Sequence, residues 1–225
     1  MRSKLIAILL SLTLFPFLLF VLFLVLIIDK QWPIFVSPRV GLNGVSFNLY
    51  KLKTMATKPE LNHIVTTSVS DPRITSLGKI LRRTKIDEML QLINIIKGEM
   101  TFIGPRPNVP AEVKKYSKTE KSFLDIKPGL SDLSSLFFSD LNLLLRDSKD
   151  ANEDYENKVR PLKSEITVMY IDMKCLTVDF KIFFASIVAI FNPELARAIA
   201  LKLIGLHYGE MASIKLERKF RKCFQ

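Results

Sequence analysis

The sequence predicts a mainly helical α+β protein: an amino-terminal Pro-broken membrane helix, a small β-hairpin, and amphipathic helices suited to an interface. Three observations carry this. Leu5 to Ile28 is an almost unbroken apolar run; an alternating segment follows the turn-forming Gly41-Leu42-Asn43-Gly44; and later apolar residues recur mainly at helical spacing. At 225 residues the chain is long enough for one substantial domain with an appended segment. The expected organisation is a membrane element over 1–30, a main domain over 31–193 and a basic amphipathic helix over 194–225.

The apolar run is interrupted only by Ser11, Thr13 and Pro16, and its roughly 24 residues at about 1.5 Å each reach across a hydrocarbon core. Arg2 and Lys4 resemble the start of a signal peptide, but the run is long and no small-residue cleavage site precedes Asp29. Pro16 removes a helical hydrogen bond and crowds the preceding turn, so a kink or break is expected there. Two geometries follow: a kinked spanning helix, or a re-entrant helix that enters and leaves by one face. Arg2 and Lys4 before the run, with Lys30 and Arg39 after it, give a span no defined orientation and are natural for the re-entrant form.

Trp32 is a candidate interfacial anchor. Val45 to Leu52 reads as part of a short hairpin, Lys58 to Asp71 as an exposed loop, and Ser76 to Arg83 followed by Ile86 to Lys97 as helix stopped by Gly98. Pro105, Pro107 and Pro110 force an extended connection. Beyond them, Pro110 to Lys121 reads as a charged surface helix, Pro128-Gly129 as a turn, and Ser139 to Val159 as polar helix or loop. Ile166 to Met173 and Asp179 to Phe191 have helical apolar spacing. Glu194 to Phe224 mixes leucines with Lys215, Arg218, Lys219, Arg221 and Lys222, the pattern of an amphipathic helix on anionic lipid or of a solvated basic tail.

Lys and Arg outnumber Asp and Glu by 33 to 22, a formal charge of +11, which favours partners that carry phosphate: anionic lipid, nucleotides or nucleic acid. Aromatic residues interleaved with basic ones, needed for stacking on single-stranded bases, are sparse outside Phe220 and Phe224, so nucleic acid is not an expected partner. Cys175 and Cys223 are too few for a disulfide framework and too far apart for a metal motif; a reducing compartment fits best.

Charge of both signs concentrates between Asp71 and Pro107, where the adjacent carboxylates Asp87 and Glu88 follow Lys79, Arg82, Arg83 and Lys85 and precede an apolar helix. Neighbours on a helix project about 100° apart, yet both carboxylates can reach one metal ion or phosphate at a helix start. A helix amino end keeps a carboxylate ionised and attracts phosphate. An ionised Asp is what nucleophilic attack on phosphorus requires. The same residues admit a structural reading, because Thr84 with Asp87 three positions later has capping-box spacing. Arg82 and Arg83 can be solvated, and Arg106 can be a surface residue between prolines.

The ordered set is more specific than its parts: the Pro16-broken apolar start, Tyr50-Lys51-Leu52-Lys53-Thr54-Met55, Asp71-Pro72-Arg73, Asp87-Glu88-Met89-Leu90-Gln91-Leu92, and Lys97-Gly98-Glu99-Met100 running into Gly104-Pro105-Arg106-Pro107. It resembles the bacterial sugar transferase family, the monotopic phosphoglycosyl transferases or undecaprenyl-phosphate sugar phosphotransferases, in their short minimal form. The resemblance covers nearly the entire chain. It implies that Asp87 attacks the β-phosphorus of a UDP-sugar with loss of UMP, and that undecaprenyl phosphate then attacks the aspartyl-phosphosugar intermediate. It implies Mg²⁺ as cofactor, held by Glu88 with Asp87, and Arg82, Lys53 and Arg106 as phosphate-binding cations, with Arg73 either in that set or structural.

The resemblance further implies a bacterial inner-membrane protein, its catalytic domain over 31–193 on the cytoplasmic face beside anionic lipids, initiating a lipid-linked glycan such as O-antigen, capsule, exopolysaccharide or a glycoprotein glycan. A homodimer is compatible with it. Two departures stand out. Lys85 occupies a position where serine is common, and Leu130-Ser131-Asp132-Leu133-Ser134-Ser135-Leu136-Phe137-Phe138 replaces a stretch that usually carries Thr-Gly and a later arginine.

Overall fold

In the computed structural model, which describes residues 2–57, 71–141, 145 and 150–224, the apolar run forms one helix, α1 (Arg2–Ile28), with Pro16 inside it. The helix continues through the proline, whose missing N–H removes a single hydrogen bond from a long element. Ala7, Leu10, Leu14, Leu18, Val21, Leu22 and Val25 recur every three or four residues and form a packing seam. Ala7, Leu10 and Leu14 meet Leu49, Leu92, Ile95 and Met100. Leu18 to Val25 meet Leu52, Leu81 and Leu90. The other side of α1, including Leu5, Leu12, Phe20 and Phe23, is exposed, and Ser3–Ile28 is long and apolar enough to cross a membrane.

The expected hairpin is present. Strands β1 (Ile34–Val40) and β2 (Ser46–Leu52) pair antiparallel, Ile34 opposite Leu52 and Val40 opposite Ser46. The turn closes through Gly41 N–H to the Val45 carbonyl at 2.9 Å. Helix α2 (Ser76–Arg83) has the bounds read from the sequence and is capped by Thr75, whose hydroxyl accepts from Gly78 N–H and donates to Asp29 Oδ2.

Ile86 to Lys97, expected as one helix, is a 3-10 segment (Ile86–Gln91) leading into α3 (Leu92–Lys97). The chain enters it through Lys85 in the left-handed region, φ 59. It leaves at Gly98, φ 84, a conformation that favours glycine and ends the helix where the sequence indicated.

Strand β3 (Thr101–Ile103) pairs with β4 (Gly129–Ser131), so Gly129 begins a strand directly after Pro128 where a turn was expected. A Cβ on Gly129 would lie 2.1 Å from Gly104 N, and one on Gly104 would lie 2.5 Å from the Lys127 carbonyl oxygen. Two backbones cross there at a distance only glycine allows. The crossing fixes the start of the Gly104–Pro107 segment and therefore the position of Arg106. Gly129→Ala is expected to lower unfolding free energy by about 3 kcal/mol, the upper end for overpacking; an unchanged denaturation midpoint would contradict the crossing.

Helix α4 (Pro110–Val113) is far shorter than the expected Pro110–Lys121. Ser117 N–H donates to Glu120 Oε2 at 2.8 Å and Glu120 N–H to Ser117 Oγ at 3.2 Å, a reciprocal pair that starts a separate 3-10 segment, Glu120–Asp125.

The described residues form two compact units, one comprising residues up to 57 with 72–130 and the other the remaining described residues. The second unit contains α5 (Leu133–Phe137), α6 (Ala151–Asp154) continuing through a π turn into α7 (Arg160–Asp172), α8 (Leu176–Phe191), α9 (Pro193–Tyr208) and α10 (Glu210–Phe224). The loop expected over Lys58 to Asp71 lies outside the described residues except for Asp71, as does most of 142–149. Buried Tyr170 donates its hydroxyl to Asp179 Oδ1 at 2.7 Å and accepts from Lys174 at 2.9 Å, tying α7 to α8.

The carboxy-terminal stretch read as one amphipathic helix is two, separated at Gly209. Its apolar side is used within the unit: Leu216 and Phe220 are buried, the Phe220 ring meets Phe137 edge-on at 5.2 Å, and the Arg197 guanidinium sits 4.2 Å from the Phe220 centroid. Arg197 also pairs with Asp140 and donates to the Phe137 carbonyl. The altered stretch after Gly129 thus supplies aromatic core for these last helices. On α8, by contrast, Leu176, Phe180, Phe184, Ile187 and Phe191 are exposed and fall within about 80° of one another at 100° per residue. Ile182 and Ala185, on the opposite side, are buried.

Candidate active site

The first unit gathers the charged residues around the 3-10 segment. A tight helix of three residues per turn begins at left-handed Lys85, so Asp87 and Glu88 leave its first turn in different directions. Asp87 is 8% exposed and its Oδ1 is buried without a hydrogen-bond partner. Glu88 is bound by two cations. Arg106 makes a two-pronged contact, Nη1 to Oε2 and Nη2 to Oε1, both at 2.8 Å, and Lys51 Nζ reaches Oε1 at 3.1 Å. Arg106 Nη1 also donates to the Leu130 carbonyl.

This geometry removes the capping alternative. The Thr84 hydroxyl turns back to the Ile80 and Leu81 carbonyls as the end of α2, and the 3-10 segment has no side-chain cap. Burial works against the ionised form expected for Asp87 at a helix amino end. Burial, then neighbouring Glu88, push its carboxyl above the ordinary range against the pull of Lys51, Lys85 and Arg82. Burial acts the same way on Glu88, but Arg106 and Lys51 outweigh it and hold that carboxyl well below the usual range. Adjacent carboxyls are therefore driven in opposite directions, the arrangement that assigns them different roles.

The other residues singled out from sequence take the following positions. Arg82, in the last turn of α2, donates Nε to Thr54 Oγ1 at 2.8 Å and its charge acts on Asp87. Lys53 follows β2 and donates to Thr57 Oγ1 at 3.0 Å. Arg73 accepts the Ala56 N–H on its carbonyl at 2.8 Å, beside the Met55–Ile74 bridge. Pro16 lies in α1. Sequence reasoning passed over three neighbours: Lys51, bonded to Glu88; Arg39, which feels the charges of Arg106 and Glu88; and Gln91, fully buried one 3-10 turn after Glu88. The signal for Lys51 was present, because residues two apart on a strand share a face and Lys51 stands beside Lys53.

A divalent cation fits this donor set. Among the described residues no group of three or more His, Cys, Asp or Glu is assembled, so the protein offers two carboxylates and leaves the remaining positions to water or substrate oxygens, as suits Mg²⁺. Asp87 Oδ1 is free to take a cation, and Glu88 Oε2, carrying one hydrogen bond from Arg106, keeps a second lone pair.

Comparison with known proteins points to sugar transferases. A putative undecaprenyl-phosphate N-acetylgalactosaminyl 1-phosphate transferase of Bacillus subtilis (strain 168) is 42% identical over 90 residues, covering 40% of this chain and 50% of the relative. An undecaprenyl-phosphate glucose phosphotransferase of Komagataeibacter xylinus is 42% identical over 106 residues, 46% of this chain and 20% of the relative. A UDP-glucose:undecaprenyl-phosphate glucose-1-phosphate transferase of Klebsiella pneumoniae is 28% identical over 188 residues, 82% of this chain and 37% of the relative. The chain spans half or less of the length of these relatives. The family model for bacterial sugar transferases matches residues 3–193, most of the chain up to the start of α9, and the chain belongs to that family.

Proposed function

We propose that this protein is a phosphoglycosyl transferase that moves a sugar 1-phosphate from a UDP-sugar to undecaprenyl phosphate and so initiates a lipid-linked glycan. The observation that carries the reading is the buried, partnerless Asp87 oxygen beside a Glu88 already neutralised by Arg106 and Lys51. An Asp87 oxygen attacks the β-phosphorus, the bond from that phosphorus to the UMP oxygen breaks, and UMP departs. A phosphate oxygen of the lipid then attacks the same phosphorus, the Asp87–phosphorus bond breaks, and the carboxylate is regenerated with the polyprenyl diphosphate sugar as product. Asp87 and Glu88 would hold Mg²⁺, which when bound neutralises phosphate oxygens and lowers the Asp87 carboxyl. Arg106, Arg82 and Lys53 would supply further positive charge, with Arg73 at the edge of the set.

The membrane part of the reading draws on α1. Its seam touches the first unit along its length, and near its ends Lys4 lies close to Gly98 and Asp29 accepts from Thr75. A helix so fastened cannot stand across a bilayer without drawing Lys51 and Glu88 into hydrocarbon, where charge is costly. We therefore favour entry from one face, at the cytoplasmic side of the inner membrane. The exposed stripe of α1 would meet the apolar layer, and the excess of Lys and Arg the anionic headgroups.

The test uses the full chain in lipid nanodiscs with Mg²⁺, a panel of UDP-sugars and undecaprenyl phosphate, reading UMP. Exchange of labelled UMP into UDP-sugar without lipid acceptor is expected from the covalent intermediate. Absence of UMP release across the panel, where a control transferase is active, would reject the reading.

A further inference from the structure

We propose that Arg39 is a further substrate-binding residue, a third cation that grips phosphate oxygens beside Arg106 and Lys51; this rests on the transferase reading above. The hairpin register places it there. Arg39 lies opposite Phe47 and Phe35 opposite Lys51, so parity puts Arg39 and Lys51 on one face of the β1–β2 ribbon. Arg39 Nε is buried and, among the described residues, has no hydrogen-bond partner. Glu88, the nearby anion, already receives two bonds from Arg106 and one from Lys51.

An arginine in this position is unfavourable for the protein by itself. Burial and the like charge of Arg106 both disfavour its charged form, and Glu88 offsets them only in part. Buried polar groups are ordinarily paired, and exceptions concentrate where a ligand completes the set. The partnerless buried side-chain atoms among the described residues are Arg39 Nε, Asp87 Oδ1, both amide atoms of Gln91, and Gln31 Nε2; Asp87 and Gln91 belong to the 3-10 segment that carries Glu88, whose charge reaches Arg39. A guanidinium matches phosphate through parallel N–H donors. Both the sugar nucleotide and the polyprenyl phosphate present that chemistry.

The experiment compares Arg39→Gln and Arg39→Lys with the parent full chain in nanodiscs, each in an Asp87→Asn background so that no turnover is needed. UDP and inorganic diphosphate are titrated calorimetrically, and undecaprenyl phosphate is read as thermal stabilisation. Arg39→Gln is expected to weaken at least one of these about tenfold, with Arg39→Lys intermediate, while the melting temperature of the ligand-free protein stays level or rises. The UDP and lipid arms identify which phosphate Arg39 holds. Unchanged binding in every arm would overturn the proposal, as would a fall in melting temperature with affinities intact, the signature of a structural role. Failure of the parent chain to release UMP would count against the transferase reading alone, because the binding arms still decide Arg39.

Discussion

Asp87→Asn should abolish UMP release, by on the order of 10⁴-fold or more, while leaving thermal stability level or higher at neutral pH. The loss follows from the nucleophile: an amide oxygen does not form the phosphoryl ester. The stability effect follows from burial. An acid whose folded pKa is raised binds more protons folded than unfolded, so stability falls as pH climbs from the ordinary carboxyl value through the raised one. At pH 7 ionised Asp87 therefore opposes folding, and the amide removes that opposition. The gap in melting temperature between variant and parent should narrow as pH is lowered towards the ordinary carboxyl value. A capping role predicts otherwise, because removing a cap costs about 1 kcal/mol and leaves chemistry untouched. Asp87→Asn with activity within tenfold of the parent would rule out the nucleophile assignment.

Local signals located the scaffold of this site well. The Gly98 stop and the Gly41–Gly44 turn are short-range devices, and the end of α3 and the second strand of the hairpin follow from them, while α2 has the bounds read from its own stretch. What escaped depended on partners distant in sequence. Pro128-Gly129 has the composition of a turn, but contact with Gly104 makes it a strand. Thr84 and Asp87 have capping spacing, yet the Thr84 hydroxyl finds the nearer Ile80 carbonyl once Lys85 turns left-handed. Ser117 and Glu120 were legible as a capping box and were overlooked because Pro110 starts a helix just before them. Arg39 could be grouped with Lys51 only after the register was known. For the last helices, leucine periodicity gave the helical state but not the surface they meet, since Phe220 packs on Phe137 within their own unit.

Arg106 and Glu88 should behave as a coupled pair in stability but not in activity. Arg106→Met leaves Glu88, 17% exposed, with Lys51 alone, and Glu88→Gln leaves Arg106 and Lys51 without their counter-charge. Each single change is expected to cost about 2 to 3 kcal/mol, below the full figure for a buried pair because Arg106 is 30% exposed. The double variant should be less destabilised than the sum by at least about 1.5 kcal/mol, since neither charge is then stranded. Moderate salt should change this coupling little, because the pair is mostly shielded from solvent. Activity should follow a different pattern, falling on the order of 10²-fold in each single variant and further in the double. Restored stability without restored turnover means that the pair presents charge to substrate as well as holding the fold. A double variant that recovered turnover with its stability would reduce Arg106 and Glu88 to scaffolding and leave Asp87 to be activated by Lys51, Lys85 and Arg82 alone.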